Sequence, residues 1–186
     1  MIDVKSIEIL YSSTCSLKET SKSDHDGGND SYMTNSELNV VGFDLVKEKY
    51  IKTLSVPEIP KSSDALFYVN NSGEMYLIEF KSGKMDQKEI FDVRLKIFDS
   101  LLMLTDILNK GISYTRHNLC FLLVYDETKN PSSRTEIGKH YLRKARKKYI
   151  RFDLERFKKL YFKDVFTVTK DDFENDFVKK WESAVN

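Results

Sequence analysis

Two neighbouring apolar segments decide the fold of this chain. Residues 63–69 read Ser-Asp-Ala-Leu-Phe-Tyr-Val, and residues 75–81 read Met-Tyr-Leu-Ile-Glu-Phe-Lys. Both segments are rich in the aromatic and β-branched side chains that favour strands. Between them, residues 70–73 read Asn-Asn-Ser-Gly, which is typical of a hairpin turn. The sequence therefore predicts a β-hairpin, with an acidic residue at the start of its first strand and an acidic-x-Lys triplet at the end of its second.

The hairpin would gather two acids and a lysine at one end of a sheet. If its strands pair, Asp64 lies beside Glu79 and Lys81. Carboxylate oxygens at that density bind a hard divalent cation such as Mg²⁺ or Mn²⁺. A nearby lysine can steady a reacting water or a developing negative charge. This combination predicts cleavage of a phosphodiester bond, with these three side chains as the catalytic residues.

The arrangement resembles the PD-(D/E)xK nuclease superfamily, which includes many restriction and repair endonucleases. The resemblance covers residues 36–126 as an order of elements and the three acidic and basic positions as a motif. It implies an α/β fold with a restriction-endonuclease-like core, in which a central mixed β-sheet is flanked by helices. It also implies that Asp64 and Glu79 hold the metal and that Lys81 acts on the nucleophilic water. Ser63 stands where the family's name has proline.

A plainer interpretation of the acidic-x-Lys triplet stays open, because such triplets also occur at 86–88 and 127–129. Glu79 and Lys81 differ from these in ending an apolar strand, in which Ile78 and Phe80 would point inward and the two charges outward. Charges two apart on one face of an edge strand are nevertheless ordinary. The alternative is therefore a solvated strand with no metal.

A third metal ligand is implied by the resemblance. A helix is predicted from Ser36, a suitable N-cap, to about Leu54. Glu37, Asp44 and Glu48 would share one face of that helix. The superfamily often adds a carboxylate from the corresponding helix to its metal site, which points to Glu37. The alternative is that all three are surface acids.

Composition limits the classes of function. The chain has 186 residues, the size of one domain, and we predict a single nuclease-like domain over 1–186. Lys and Arg number 30 and Asp and Glu number 29, so a nucleic-acid partner would need a local basic patch. The two cysteines are too few for a disulfide framework. We also find no structural-zinc spacing and no nucleotide phosphate loop.

Location is predicted from what the sequence lacks. It shows no signal peptide and no apolar stretch near the roughly 20 residues that cross a bilayer. We therefore expect a soluble, cytoplasmic protein with no membrane partner.

The remaining elements are predicted from periodicity and polarity. Residues 12–35 are polar and poor in apolar side chains, which predicts a mobile loop, either a substrate-gripping flap or an unstructured insertion. The helix predicted over 86–109 carries an apolar stripe, which Phe91, Leu95, Phe98 and Leu102 widen. The other predicted elements are a strand over 3–11, a central strand over 118–126, a basic helix over 135–149, a strand over 164–168 and a last helix ending near Trp181.

Candidate nucleic-acid contacts come from two places. Arg94 falls on the buried side of the predicted long helix, where it would contact a phosphate or pair with Asp92, Asp99 or an acid of the sheet. The predicted basic helix could form a phosphate rail or a solvated face. Its positive residues are Lys139, Arg143, Arg146, Lys147 and Arg151.

The sequence therefore predicts a metal-dependent nuclease acting on DNA or RNA. A homodimer is compatible with this prediction, since a second copy could be needed to cut both strands. One alternative is a catalytically inactive member of the same fold that binds nucleic acid, because a fold does not fix function. Another is a small interaction protein, such as an immunity or regulatory factor, whose charged faces are docking surface.

Overall fold

The computed structural model describes residues 7–23, 31–52, 54–69, 72–131 and 149–185. Within these residues the chain forms a six-stranded mixed β-sheet flanked by helices, which confirms the predicted α/β class. In spatial order the strands of this sheet are β1 (Thr14–Ser16), β4 (Asn39–Gly42), β5 (Ala65–Val69), β6 (Glu74–Lys81), β7 (Leu119–Tyr125) and β8 (Asp164–Thr169). Two short strands, β2 (Lys22–Ser23) and β3 (Ser31–Tyr32), pair separately.

Helices connect and cover the strands. In chain order the α-helices are α1 (Glu8–Tyr11), α2 (Leu17–Thr20), α3 (Phe43–Ile51), α4 (Gln87–Ile107), α5 (Ile112–Asn118), α6 (Lys170–Phe173) and α7 (Lys179–Val185). A π-helical turn over Glu174–Val178 joins α6 to α7, and a 3₁₀ turn lies at Glu155–Phe157. None of the described helices is both long and apolar enough to cross a bilayer.

The predicted hairpin is confirmed. Strands β5 and β6 pair antiparallel from Ala65 opposite Ile78 to Val69 opposite Glu74. Gly73, in the turn, has a φ of 70°, a backbone conformation that glycine adopts without steric cost. Along its other edge β6 pairs in parallel with β7 from Met75 to Lys81, and β7 pairs in parallel with β8. Every residue of β7 is buried, as predicted for a central strand.

Each face of the sheet has its own apolar core. Met75 and Leu77 of β6 share a buried cluster with the stripe of α4, which includes Val93 and Ile97. The residues that alternate with them, such as Ile78, share a second cluster with the C-terminal helices. Successive side chains of a strand point to opposite faces, so β6 is covered on both sides.

Helix α4 is confirmed, but its predicted stripe was too wide. Asp86 caps the helix by accepting a hydrogen bond from the amide of Glu89 at 3.0 Å. Ile90, Val93 and Ile97 are buried as expected. By contrast, Phe91 is 57% exposed and Leu102 63% exposed. The helix is covered by the sheet on one side only, so apolar residues outside the central stripe face solvent.

The first third of the chain departs from prediction. Residues 8–11 form α1 rather than a strand, and residues 3–6 of that predicted strand lie outside the described part. The described residues of 12–35 are not a structureless loop, since they form β1, α2, β2 and β3. A capping box between Ser16 and Glu19 starts α2. Polar composition alone misses such short elements, because they depend on pairing and caps more than on apolar content.

The helix predicted from Ser36 begins only at Phe43. Before it, Val40 and Val41 lie in β4, which pairs with β1 on one side and β5 on the other. β-branched residues favour strands, and β4 is hydrogen-bonded to a neighbouring strand along both of its edges. A side chain at Gly42 would bring its Cβ to 2.8 Å from Cys15 Sγ, so glycine allows β1 to approach β4.

The end of the chain agrees with prediction where it is described. The predicted strand is β8, and the last helix follows it, capped by the side chain of Thr169. Residues 132–148, which include most of the predicted basic helix, lie outside the described part, and Tyr149 itself is not helical.

Candidate functional site

Asp64 is held at the junction of the hairpin strands. Its amide donates to the carbonyl of Ile78 at 3.0 Å, which extends the β5–β6 ladder by one residue. Its Oδ2 accepts a hydrogen bond from the amide of Phe80 at 2.6 Å. The carboxylate is therefore tied to the backbone of β6, one residue from Glu79.

Glu79 is buried, in contrast to the prediction that it faces outward. Its side chain is 0% exposed, because it lies on the same face of β6 as Met75 and Leu77, beneath α4. Its Oε2 atom is buried with no hydrogen-bond partner. A buried carboxylate costs free energy unless charges or hydrogen bonds compensate it, so the solvated-strand interpretation does not fit Glu79.

The compensating charge comes from a lysine of α4. Lys96 Nζ lies 2.7 Å from Glu79 Oε1 and 3.2 Å from Asp64 Oδ1. Lys81 Nζ lies 3.6 Å from Glu79 Oε1 and 2.9 Å from Glu89 Oε2. Three acids and two lysines thus alternate in one network. The structure brings the three sequence-predicted catalytic side chains together, with Lys96 as the link between Asp64 and Glu79.

The network shifts the pKa values of its members. Burial, followed by the negative charge of Asp64, raises the pKa of Glu79 to about 8, although Lys96 and Lys81 oppose this. Burial also raises the pKa of Asp64 above its ordinary value. Burial alone would lower the pKa of Lys96, but the charges of Glu79 and Asp64 outweigh it and raise that pKa. Lys96 is therefore a cation at neutral pH.

Stability should fall as the pH rises from the ordinary pKa of glutamate to about 8. In this window the folded protein keeps the proton of Glu79 while the unfolded chain has lost it. The free energy of unfolding should therefore decrease, and Glu79 alone contributes at most about 1.4 kcal/mol per pH unit to this fall. Lys96 does not oppose this fall, because its raised pKa acts only above the ordinary range of lysine. Denaturant unfolding at a series of pH values measures the slope.

Glu79→Gln should flatten this dependence, and Glu89→Gln is the matched control. Glu89 contacts Lys81 in the same network but is 36% exposed. An unchanged slope in Glu79→Gln protein would show that another group causes the pH dependence.

Four members of the network, Asp64, Lys81, Glu89 and Lys96, line an open cleft with a volume of about 350 Å³, and the buried Glu79 lies behind them. This volume is within the usual size of a small-ligand site. Strand β2, the start of β5, the end of β6 and the first half of α4 all contribute to it. The cleft is lined by Lys22, Ser23, Asp64, Phe80, Lys81, Ser82, Gly83, Lys84, Asp86, Glu89 and Lys96.

The loop after β6 shapes the cleft and is fixed at both ends. Asn130 is buried, accepts a hydrogen bond from the amide of Met85 at 2.8 Å and donates to the carbonyl of Gly83 at 2.9 Å. The hydroxyls of Ser23 and Ser82 lie 2.6 Å apart, which joins this loop to β2. The segment predicted as a mobile loop thus supplies part of the cleft wall.

Two other predicted residues, Glu37 and Arg94, lie elsewhere. Glu37, predicted as a metal ligand, is exposed outside any helix, pairs with Lys18 at 3.8 Å and does not line the cleft. Glu37 was predicted as a ligand from its place on a helix starting at Ser36, but α3 begins six residues after Glu37. Arg94 pairs with Asp153 at 3.7 Å, an acid that the sequence interpretation did not consider.

Arg151 also serves the fold. It is outside any helix, donates to the carbonyl of Asn130 at 2.8 Å and lies over the rings of Tyr125 and Phe152. Lys139, Arg143, Arg146 and Lys147 lie outside the described residues. Nucleic-acid contacts by these five side chains stay a prediction.

Two residues of the network, Lys96 and Glu89, were not among the predicted site residues. Lys96 is three residues after buried Val93 and four before buried Ser100, so the helical stripe could have shown a lysine directed at the sheet. Glu89, in the first turn of α4, could have been linked to Lys81 only through the position of the helix over β6.

The donor set fits a magnesium-type ion. Mg²⁺ in proteins is commonly held by one or two carboxylates, with waters and substrate phosphates completing its shell. Asp64 and Glu79 approach the same ammonium, and Glu79 also has a buried oxygen without a partner. In the described part of the chain, no group of three or more His, Cys, Asp or Glu could hold a metal by protein ligands alone.

Comparison with known proteins adds no assignment. The chain matches no protein family, no curated protein and no solved structure at significant similarity.

Proposed function

We propose that this protein is a divalent-metal-dependent nuclease with a restriction-endonuclease-like core, which hydrolyses phosphodiester bonds of DNA or RNA. The observation that carries the proposal is the convergence of Asp64 and Glu79 on the ammonium of Lys96 beside Lys81, where Asp64, Lys81 and Lys96 line an open cleft. Buried acids with shifted pKa values in a cleft are typical of functional sites.

Asp64 and Glu79 would hold the metal. The amide of Phe80 fixes Asp64, and β6 fixes Glu79 beneath α4, so neither carboxylate has to be reorganised to meet a cation. When bound, Mg²⁺ would supply an acidified water and neutralise charge on the phosphoryl oxygens.

Lys81 would stabilise charge and position water. Its ammonium lies between Glu79 and Glu89 and lines the cleft. Contacts with an acid on either side hold the ammonium in place, where its positive charge can stabilise the negative charge that develops on a phosphate during attack. We assign Lys81 this part rather than proton abstraction, because two carboxylates surround it.

The charge of the cleft supports a polyanionic substrate. Four lysines, Lys22, Lys81, Lys84 and Lys96, line it beside three acids, Asp64, Asp86 and Glu89, and a bound divalent ion would add further positive charge. Lysines at this density attract a phosphate backbone without reading its sequence. Nucleic acid is therefore the partner we propose.

A nuclease assay on labelled single-stranded and duplex DNA and RNA tests the proposal. We expect cleavage in Mg²⁺ or Mn²⁺ and none in excess chelator. Absence of cleavage of all four substrates in both metals, or undiminished cleavage in chelator, would contradict the proposal.

One observation favours the inactive alternative. The ammonium of Lys96 already contacts one oxygen of each carboxylate, so both acids have a counter-charge without a metal. A protein of this kind would bind nucleic acid in the lysine-lined cleft and leave it intact in every metal. Salt-dependent binding without cleavage would identify this second function.

A further inference from the structure

Lys96 occupies the position between the two proposed metal ligands. Its side chain leaves the middle of α4 and places Nζ within 3.2 Å of Asp64 Oδ1 and 2.7 Å of Glu79 Oε1. The proposed nuclease mechanism assigns this ammonium no part at the metal, yet among the described residues it is the nearest cation to both carboxylates.

We propose that Lys96 is the resident counter-cation of the site, and that a divalent ion binds by displacing its ammonium from between Asp64 and Glu79. This inference rests on the proposed function, because it takes these carboxylates to be the metal ligands. It adds a regulatory feature, since the protein itself supplies the competitor of its metal.

Electrostatics makes the two cations mutually exclusive. Two buried acids need a positive charge nearby when both are ionised, because taking charges out of water is expensive. In the protein without metal, Lys96 meets that need. A divalent ion and an ammonium within contact distance of the same two oxygens would repel each other strongly in a site of low dielectric.

The side chain of Lys96 can move away from the two carboxylates and into the cleft. It is 24% exposed and lines the cleft, so its flexible four-carbon stem can swing the ammonium toward solvent. Lys81 has no need to move, because Glu89 holds it at 2.9 Å on its other side. Glu79 Oε2, buried without a partner, offers the oxygen that the ammonium leaves unused.

Calorimetric titration with Mn²⁺ tests the competition. We expect Lys96→Gln to bind Mn²⁺ at least about tenfold more tightly than wild type, since it removes a competing charge but keeps a polar side chain of similar length. Lys84→Gln is the matched control, because Lys84 lines the same cleft but has no ion pair with either carboxylate in the described structure. Its affinity should stay within about twofold of wild type.

Equal or weaker Mn²⁺ binding by Lys96→Gln would overturn the inference, as would absence of binding by both wild type and this variant.

A measurement on the wild-type chain covers the case in which Lys96→Gln does not fold. Nitrogen-15 NMR of lysine side chains resolves ammonium groups held in ion pairs, and Lys96→Arg protein identifies the signal of Lys96. We expect that signal to shift on saturation with Mg²⁺ while the signal of Lys84 stays in place. A Lys96 signal unchanged at saturating Mg²⁺ would overturn the inference.

Different experimental results reject the nuclease proposal and the inference about Lys96. Competition for metal without any cleavage would reject the nuclease and leave this inference in place. Metal-dependent cleavage with unchanged Mn²⁺ affinity in Lys96→Gln would reject the inference and leave the nuclease in place.

Discussion

Asp64→Asn protein is expected to lose about a thousandfold or more of the metal-dependent nuclease activity. The substitution removes one of two metal-holding carboxylates, and a metal contributes several kcal/mol to stabilising the transition state. The fold should survive, because the asparagine oxygen can still accept the hydrogen bond from the amide of Phe80. Initial rates of cleavage under saturating Mn²⁺ measure the effect.

The same variant should also lose thermal stabilisation by metal. A ligand that binds only the folded state raises the melting temperature by mass action, so wild type should melt higher in Mn²⁺. Glu37→Gln is the matched control, since Glu37 is an exposed acid outside the cleft and should leave both activity and the melting shift unchanged. Cleavage by Asp64→Asn at more than about a tenth of the wild-type rate would contradict the assignment.

Lys81→Met is expected to lower the rate of cleavage by about a hundredfold or more while metal binding persists. The ammonium of Lys81 is assigned to stabilise charge that develops during attack, and removing one such group commonly costs this much. Metal affinity should change far less, because Lys96 rather than Lys81 lies between Asp64 and Glu79. Single-turnover rates and calorimetric Mn²⁺ titration separate the two effects.

Lys88→Met is the control for this substitution. Lys88 is an exposed lysine of α4 that does not line the cleft, so it removes a positive charge without touching the network. Degradation of nucleic acid by Lys81→Met at the wild-type rate would exclude this mechanism, even in a protein that binds metal.

The parts of the fold that the sequence predicted are those with local signals. The hairpin has two apolar runs and a turn of Asn, Ser and Gly, and α4 has a stripe at helical spacing. Strand β7 is apolar throughout, as a strand covered on both faces must be. In each case a single element carries its own pattern, so no knowledge of its neighbours is needed.

The parts that were wrong depend on partners distant in the chain. Val40 and Val41 form a strand because β1 and β5 pair with them, and the sequence around Ser36 reads as a helix start without those partners. Phe91 has the spacing of a core residue but faces solvent, because α4 is covered on one side only. Tertiary context overrides local propensity at these places.

In the candidate site, too, some residues could be predicted from local sequence and others depend on distant parts of the chain. The hairpin could place Asp64, Glu79 and Lys81 together, because a strand register follows from a turn. The burial of Glu79 required knowing that α4 covers its face of β6. Lys96 joins the site across 32 residues from Asp64, a contact that no local pattern contains.

Anomalous diffraction from crystals grown with saturating Mn²⁺ is the most direct measurement of the metal site. We predict a strong peak in contact with carboxylate oxygens of both Asp64 and Glu79, with the ammonium of Lys96 withdrawn from between them. A Mn²⁺ peak located elsewhere would contradict the proposed metal site. The absence of metal density, with Lys96 still between the two acids, would also contradict it.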